Sequence, residues 1–211
     1  RSQGESFLKR RPSGQEHRSF ILVAVLTILV LGLVSFMPVS WQEAFAYQRY
    51  DFSYWQLLTA GLVHENVGHL MLNVACVIII ALLINRSAPP MILVVYLLLG
   101  TIGATGAEHL LSKPPALDFV VVETRGLSGG LHGLLVGGLL ALVRRGEQWP
   151  LWLVIALTLK VTVEAALGRP IMPSGTVENV AVMAHLGGTL AILLVVGLQQ
   201  WVVRESGVES L

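Results

Sequence analysis

The feature that most constrains this chain is a series of apolar runs close to the ~20 residues a helix needs to cross a bilayer. They cover residues 20–37, 68–84, 91–110, 126–143, 150–168 and 179–203. In lipid every backbone polar group must find its partner inside the protein, and a helix satisfies its own. Composition agrees: 54% of the 211 residues are hydrophobic and 13% charged, against about 25% charged in a soluble domain. The expected fold is therefore an all-α polytopic membrane protein, a six-transmembrane-helix bundle with no room for a second soluble domain. A net charge of +1 gives no reason to expect nucleic acid. The one cysteine, Cys76, excludes an intramolecular disulfide and a cysteine metal cluster within the chain. The first run is long and lacks a clear small-residue cleavage site, so no cleavable signal peptide is expected.

Between the runs the chain is punctuated. Residues 1–19 read as a polar, basic cytoplasmic tail, 20–203 as the membrane domain and 204–211 as a short cytoplasmic tail. The connector 38–58 holds Trp41, Phe45, Tyr47, Tyr50, Phe52, Tyr54 and Trp55. Such rings sit at membrane interfaces, which predicts an amphipathic loop in the outer leaflet. Gly100, Gly103 and Gly106 predict a small packing face on the third run, and Pro114 and Pro115 mark the loop after it. Arg144, Arg145 and Gly146 turn the chain after the fourth run; Pro170, Pro173 and Gly175 do so after the fifth. Arg1, Lys9, Arg10, Arg11, Arg18, Arg86, Arg144, Arg145 and Arg204 fall on the side of the termini. Only Arg49, Lys113, Arg125 and Arg169 fall opposite. The positive-inside rule then puts both termini in the cytoplasm, so each even-numbered span starts at the outer face.

That topology brings chemistry together. Ser128 lies at the start of the fourth run, His185 in the second turn of the sixth, and His64, His69 and Asn73 around the start of the second. Ionisable groups at membrane depth are costly and read as functional. A serine becomes a nucleophile when a base lies within hydrogen-bond reach, and His185 is the best placed base. Ser128 also opens a helix, where unpaired N–H groups and the dipole favour a developing oxyanion. His69 and Asn73, four apart, share one helix face and are candidate oxyanion donors. Gly126, Gly129, Gly130, Gly133 and Gly137 on the fourth run, and Gly188 on the sixth, allow the backbones to approach closely.

These residues resemble the rhomboid intramembrane serine proteases. Gly126-Leu127-Ser128-Gly129 is similar to their GxSG, Ala184-His185-Leu186-Gly187-Gly188 to AHxxG, and His69-Leu70-Met71-Leu72-Asn73 to HxxxN. His64 matches a further family histidine, and Trp55 falls where a Trp-Arg pair is usual, with Gln56 in place of the arginine. Ile192 replaces a second glycine on the sixth run, and His132 replaces the usual tyrosine. Ser-Gly-x-x-His-Gly in a short chain resembles the rhombosortase branch. The resemblance implies a Ser128–His185 catalytic dyad, an oxyanion site of His69, Asn73 and the Ser128 N–H, and no cofactor or metal. His64, His132, Gly126, Gly129 and Gly188 would be supporting residues. It also implies a bacterial inner-membrane enzyme whose active site faces the periplasm. Its clients would be single-pass proteins bearing a C-terminal Gly-Gly, apolar helix and basic tail.

Other readings stand beside this one. His64 and His69 invite zinc, but five residues put ligands about 140° apart on a helix, unlike HExxH. Lys160 and Glu164, four apart, are either an ion pair facing the bundle or part of an ion path. His132 either bonds a backbone carbonyl or contacts the His185 ring. Glu108 reads as interfacial, and His109 as structural. A catalytically inactive rhomboid-like protein that binds membrane clients is the alternative from another class. A small proton-coupled transporter is a third, but it would need inverted repeats, and the chain has no internal symmetry.

Overall fold

Each apolar run becomes a helix whose ends are set by local signals. The computed structural model describes residues 14–112, 123–171 and 181–205. Among them are α1 (Gly14–Ser35), α2 (Val39–Phe45), α3 (Gln56–Thr59), α4 (Val67–Ile84), α5 (Pro90–Leu111), α6 (Ser128–Arg144), α7 (Trp149–Leu167) and α8 (Val182–Glu205). A single 3-10 turn, Ala60–Leu62, follows α3. A two-stranded antiparallel ribbon pairs β1 (Tyr47–Gln48) with β2 (Glu123–Thr124). Residues 1–13 and 206–211, Lys113, Pro114, Pro115, Pro173, Gly175 and Asn179 lie outside the described residues.

Caps explain the boundaries. The Asn66 side chain accepts the His69 N–H at 2.9 Å and starts α4, satisfying one of the orphan donors of a first turn. Pro90 opens α5 and Pro150 stands at the start of α7, where the missing N–H costs nothing. Gly168 ends α7 in the left-handed conformation. The fourth run, expected to become helical at Gly126, does so at Ser128. Gly126 has φ 111° and gives its N–H to the Ala60 carbonyl at 3.0 Å, so it cannot join the helix. The sixth helix starts at Val182, which puts His185 in its first turn rather than its second. There the Glu108 carboxylate captures the Ala184 N–H at 2.9 Å, a cap supplied from α5.

Among the described residues, four helices are long and apolar enough to cross a membrane: Val67–Ile84, Pro90–Leu111, Trp149–Leu167 and Val182–Val202. The other two apolar helices, Phe20–Ser35 and Ser128–Arg144, are shorter. This is a multi-pass, helical membrane protein. Its outward faces carry large apolar side chains such as Leu33, Ile79, Leu82, Trp152 and Leu194, as surfaces bathed in lipid do.

The centre is built from α5, α6 and α8, which pack most extensively on one another. Their contact is backbone against backbone. A Cβ at Gly133 would meet the Gly100 Cα and the Gly188 carbonyl, both at 2.8 Å. A Cβ at Gly129 would meet the Ala104 methyl and the Ala184 carbonyl, and one at Gly188 the Gly129 carbonyl. Gly100 and Gly103 join this contact, but Gly106 faces open space, so the expected three-glycine face is only two long. At 100° per residue, Gly106 is turned about 120° from Gly100. Away from the site, the Arg144 guanidinium donates to the Val196 carbonyl at 3.2 Å and Arg145 donates to the Arg86 carbonyl.

The connector is half loop and half anchor. Trp41, Tyr50, Tyr54 and Trp55 are exposed, whereas Tyr47 is fully buried. The Tyr47 hydroxyl lies 3.2 Å from His109 Nδ1, and the Phe52 and His109 rings are 4.5 Å apart. This gives His109 its structural place at the end of α5. Gln56, where the resemblance has an arginine, is buried and holds the connector itself. Its amide oxygen accepts the Ser53 N–H at 3.1 Å, and its amide nitrogen donates to the Ala44 carbonyl at 3.4 Å. Gly188→Ala should destabilise the protein by about 1–3 kcal/mol by forcing α8 from α6. Gly106→Ala should be neutral or stabilising. Thermal unfolding of both variants in one detergent checks this pair, and equal losses would contradict the packing described.

Candidate functional site

The site forms where the starts of α4, α6 and α8 converge. Ser128 is the first residue of α6, and the helical ladder begins behind it with the Leu131 N–H on the Leu127 carbonyl at 2.9 Å. The earlier N–H groups therefore have no helical partner and surround the serine. His185 reaches it from α8: Ser128 Oγ and His185 Nε2 are 3.0 Å apart. The hydrogen-bond length is that required between a nucleophile and its base.

Two contacts fix the imidazole. The His132 and His185 rings stack, with centroids 4.3 Å apart and planes 17° from parallel. His132 Nδ1–H also donates to the Ser128 carbonyl at 2.8 Å. Both readings of His132 thus hold at once: it bonds a carbonyl one turn back and packs on His185. The second fixing is from the backbone, through Glu108. That carboxylate takes the Ala184 N–H, accepts the Ser112 hydroxyl on its other oxygen, and is buried rather than interfacial. The Arg49 side chain donates to the Glu108 carbonyl at 3.3 Å. Nothing in the local sequence marks Glu108, because its partner is 76 residues away.

On the third side stand His69 and Asn73, both buried in the first half of α4. Asn73 Nδ2 donates to the His69 carbonyl at 3.0 Å; an amide carries two N–H donors, so one remains for a ligand. The His69 ring lies against Gly126: a Cβ there would meet His69 Nε2 at 2.6 Å. Gly126 is thus required twice, for its positive φ and for the ring beside it. His64 precedes α4 and is not on the helix, so the angular argument against pairing it with His69 does not apply. Their rings meet edge to face, with centroids 5.1 Å apart. No cluster of three His, Cys, Asp or Glu side chains suited to a metal occurs among the described residues. Lys160 and Glu164 form an ion pair within α7, Nζ to Oε2 2.7 Å.

The family model described as "Rhomboid domain" matches residues 51–200. The chain belongs to the rhomboid family. No curated protein and no solved structure matches it. The matched region runs from the connector through most of α8 and holds every residue of the site. Rhomboids are generally intramembrane serine proteases, although inactive members exist. In this rhomboid the connector also reaches the serine. β2 ends at Thr124, just before Gly126, and the Gly126 N–H is tied to Ala60.

His64 lies outside the spans and supplies a pH dependence. Burial first, and the His69 ring second, hold its imidazole below the usual 6.5, down to about 4; the Leu62 carbonyl pulls weakly the other way. Between those values the unfolded chain binds a proton that the folded rhomboid does not, so this group's contribution to stability falls as pH drops from 6.5 towards 4. His64→Phe should flatten that part of the melting-temperature profile. An unchanged slope would remove His64 as its source.

Proposed function

We propose that this rhomboid is an active intramembrane serine endopeptidase working through Ser128 and His185. The observation that carries the proposal is the 3.0 Å approach of Ser128 Oγ to His185 Nε2. A protein that only binds clients has no need of a base aligned on a half-buried serine. Ser128 attacks the scissile carbonyl while His185 takes its proton, and His185 then returns a proton to the leaving amine. The oxyanion falls to the Ser128 N–H, His69 and the free N–H of Asn73. Water hydrolyses the acyl-enzyme. Gly129 and Gly188 allow the approach of α6 to α8 that holds the pair. Exchanging Ser128→Ala or His185→Ala should lower cleavage by on the order of 10⁴-fold or more and leave the melting temperature nearly unchanged. Full activity of either variant on a verified client would overturn the mechanism.

In this reading all six apolar helices cross the bilayer, both termini are cytoplasmic, and the site opens to the periplasmic side of a bacterial inner membrane. The charge distribution of the loops supports this orientation. A client must present an extended peptide, since helical backbone shields its carbonyls. A single-pass client whose span begins with Gly-Gly unwinds cheaply there, because glycine forms helices poorly. The Ser-Gly-x-x-His-Gly resemblance to rhombosortases supports the same class: C-terminal Gly-Gly, apolar helix, basic tail. Replacing that Gly-Gly by Leu-Leu should abolish processing of such a client by the intact enzyme. Equal processing of both versions would refute the client class while leaving the protease proposal standing.

A further inference from the structure

The serine–histidine pair leaves one atom unaccounted for. His185 Nε2 faces Ser128 Oγ, so to accept the serine proton it must present a lone pair, and the ring proton then sits on Nδ1. Nδ1 is buried and has no hydrogen-bond partner among the described residues. His132 cannot serve it, because its ring lies across the face of His185 and its own Nδ1 is committed to the Ser128 carbonyl. The nearest carboxylate oxygen is Glu164 Oε2, 4.0 Å from His185 Nδ1. That is about 1 Å beyond hydrogen-bond range, so the bond proposed below requires the carboxylate to turn towards the ring.

Glu164 is held ready for this. Its residue is 1% exposed. Oε1 accepts the Ile171 N–H at 3.0 Å, and Oε2 meets Lys160 Nζ at 2.7 Å. The Lys160 side chain is 34% exposed, so the ion pair has an open end and an enclosed end. Oε2 is therefore a buried oxygen that lies between a partly exposed ammonium and an imidazole that becomes positive during the reaction. A counter-charge matters most in such a dry site, where an unpaired buried cation is costly.

We propose that Glu164 is a positioning residue for His185. It accepts the Nδ1–H, fixes the tautomer that leaves Nε2 free for Ser128, and balances the imidazolium formed when the serine proton moves. Lys160 holds the carboxylate in place through the 2.7 Å ion pair while the ring is neutral. This rests on the protease reading above and adds a third member to its pair.

The test uses the full-length rhomboid with a verified client, alongside the rate at which a phosphonate labels Ser128. Glu164→Gln keeps the shape and an oxygen for Ile171, but it donates where the carboxylate accepts and favours the wrong tautomer. Expected is a fall in kcat of about 10²-fold or more, with KM within about threefold, a matching fall in labelling rate and an unshifted melting temperature. The double variant Lys160→Met/Glu164→Gln removes the ion pair as a unit and guards against misfolding of the single variant. It should be as slow as Glu164→Gln. Wild-type kcat in Glu164→Gln would overturn the proposal. Recovery of wild-type kcat in the double variant would overturn it too, by reducing Glu164 to a partner for Lys160. A fully active Ser128→Ala control would instead bring down the protease reading itself, and this proposal with it.

Discussion

The structure depends on backbones that touch. Where α5, α6 and α8 meet, the carbonyls and α-carbons of Gly100, Gly129, Gly133 and Gly188 occupy space that any side chain would need. In lipid no hydrophobic drive presses helices together, so packing of this kind has to supply the association. Its effect at the site is geometric. With α6 and α8 this close, a serine on the first turn of one and a histidine on the first turn of the other are within hydrogen-bond reach without strained backbone at either residue.

Around that contact, the protein spends polar groups on orientation. Glu108 caps α8 from α5, His132 stacks on His185 from α6, and Asn66 caps α4 beneath His69. The first two contacts tie the start of α8 to a neighbour, and the Asn66 cap is local to α4. The result is a cluster held from several helices, whose outer faces carry large apolar side chains. The connector adds a further constraint, because its strand pairs with the segment that leads into Gly126.

Much of this was legible in the sequence, and the limits have physical causes. The apolar runs marked the helices, since period and length are local properties. Ser128, His185, His69 and Asn73 could be brought together on paper because alternating spans put the starts of even-numbered helices at one depth. Gly106 was misjudged because glycines three apart drift around a helix. Its counterparts Gly100 and Gly103 stayed in contact only while that drift was small. Glu108, Gln56 and the β1–β2 ribbon left no local signal, because their partners are set by packing between distant segments. The approach of His64 to the His69 ring was not foreseen, because the angular argument against zinc applied helix geometry to a residue that precedes α4.

One dimension of the fold has a further consequence. α6 has 17 residues, which rise about 25 Å, against a hydrocarbon layer about 30 Å thick. The helix that carries Ser128 is thus shorter than such a layer. The mismatch is met by thinning the bilayer, or by lowering the polar boundary onto the start of α6. Either way, aqueous surface is drawn down to the depth of the serine. In the proposed protease, a client span entering there would lose its lipid neighbours one residue at a time, and water, the second reactant of hydrolysis, would arrive by the same descent.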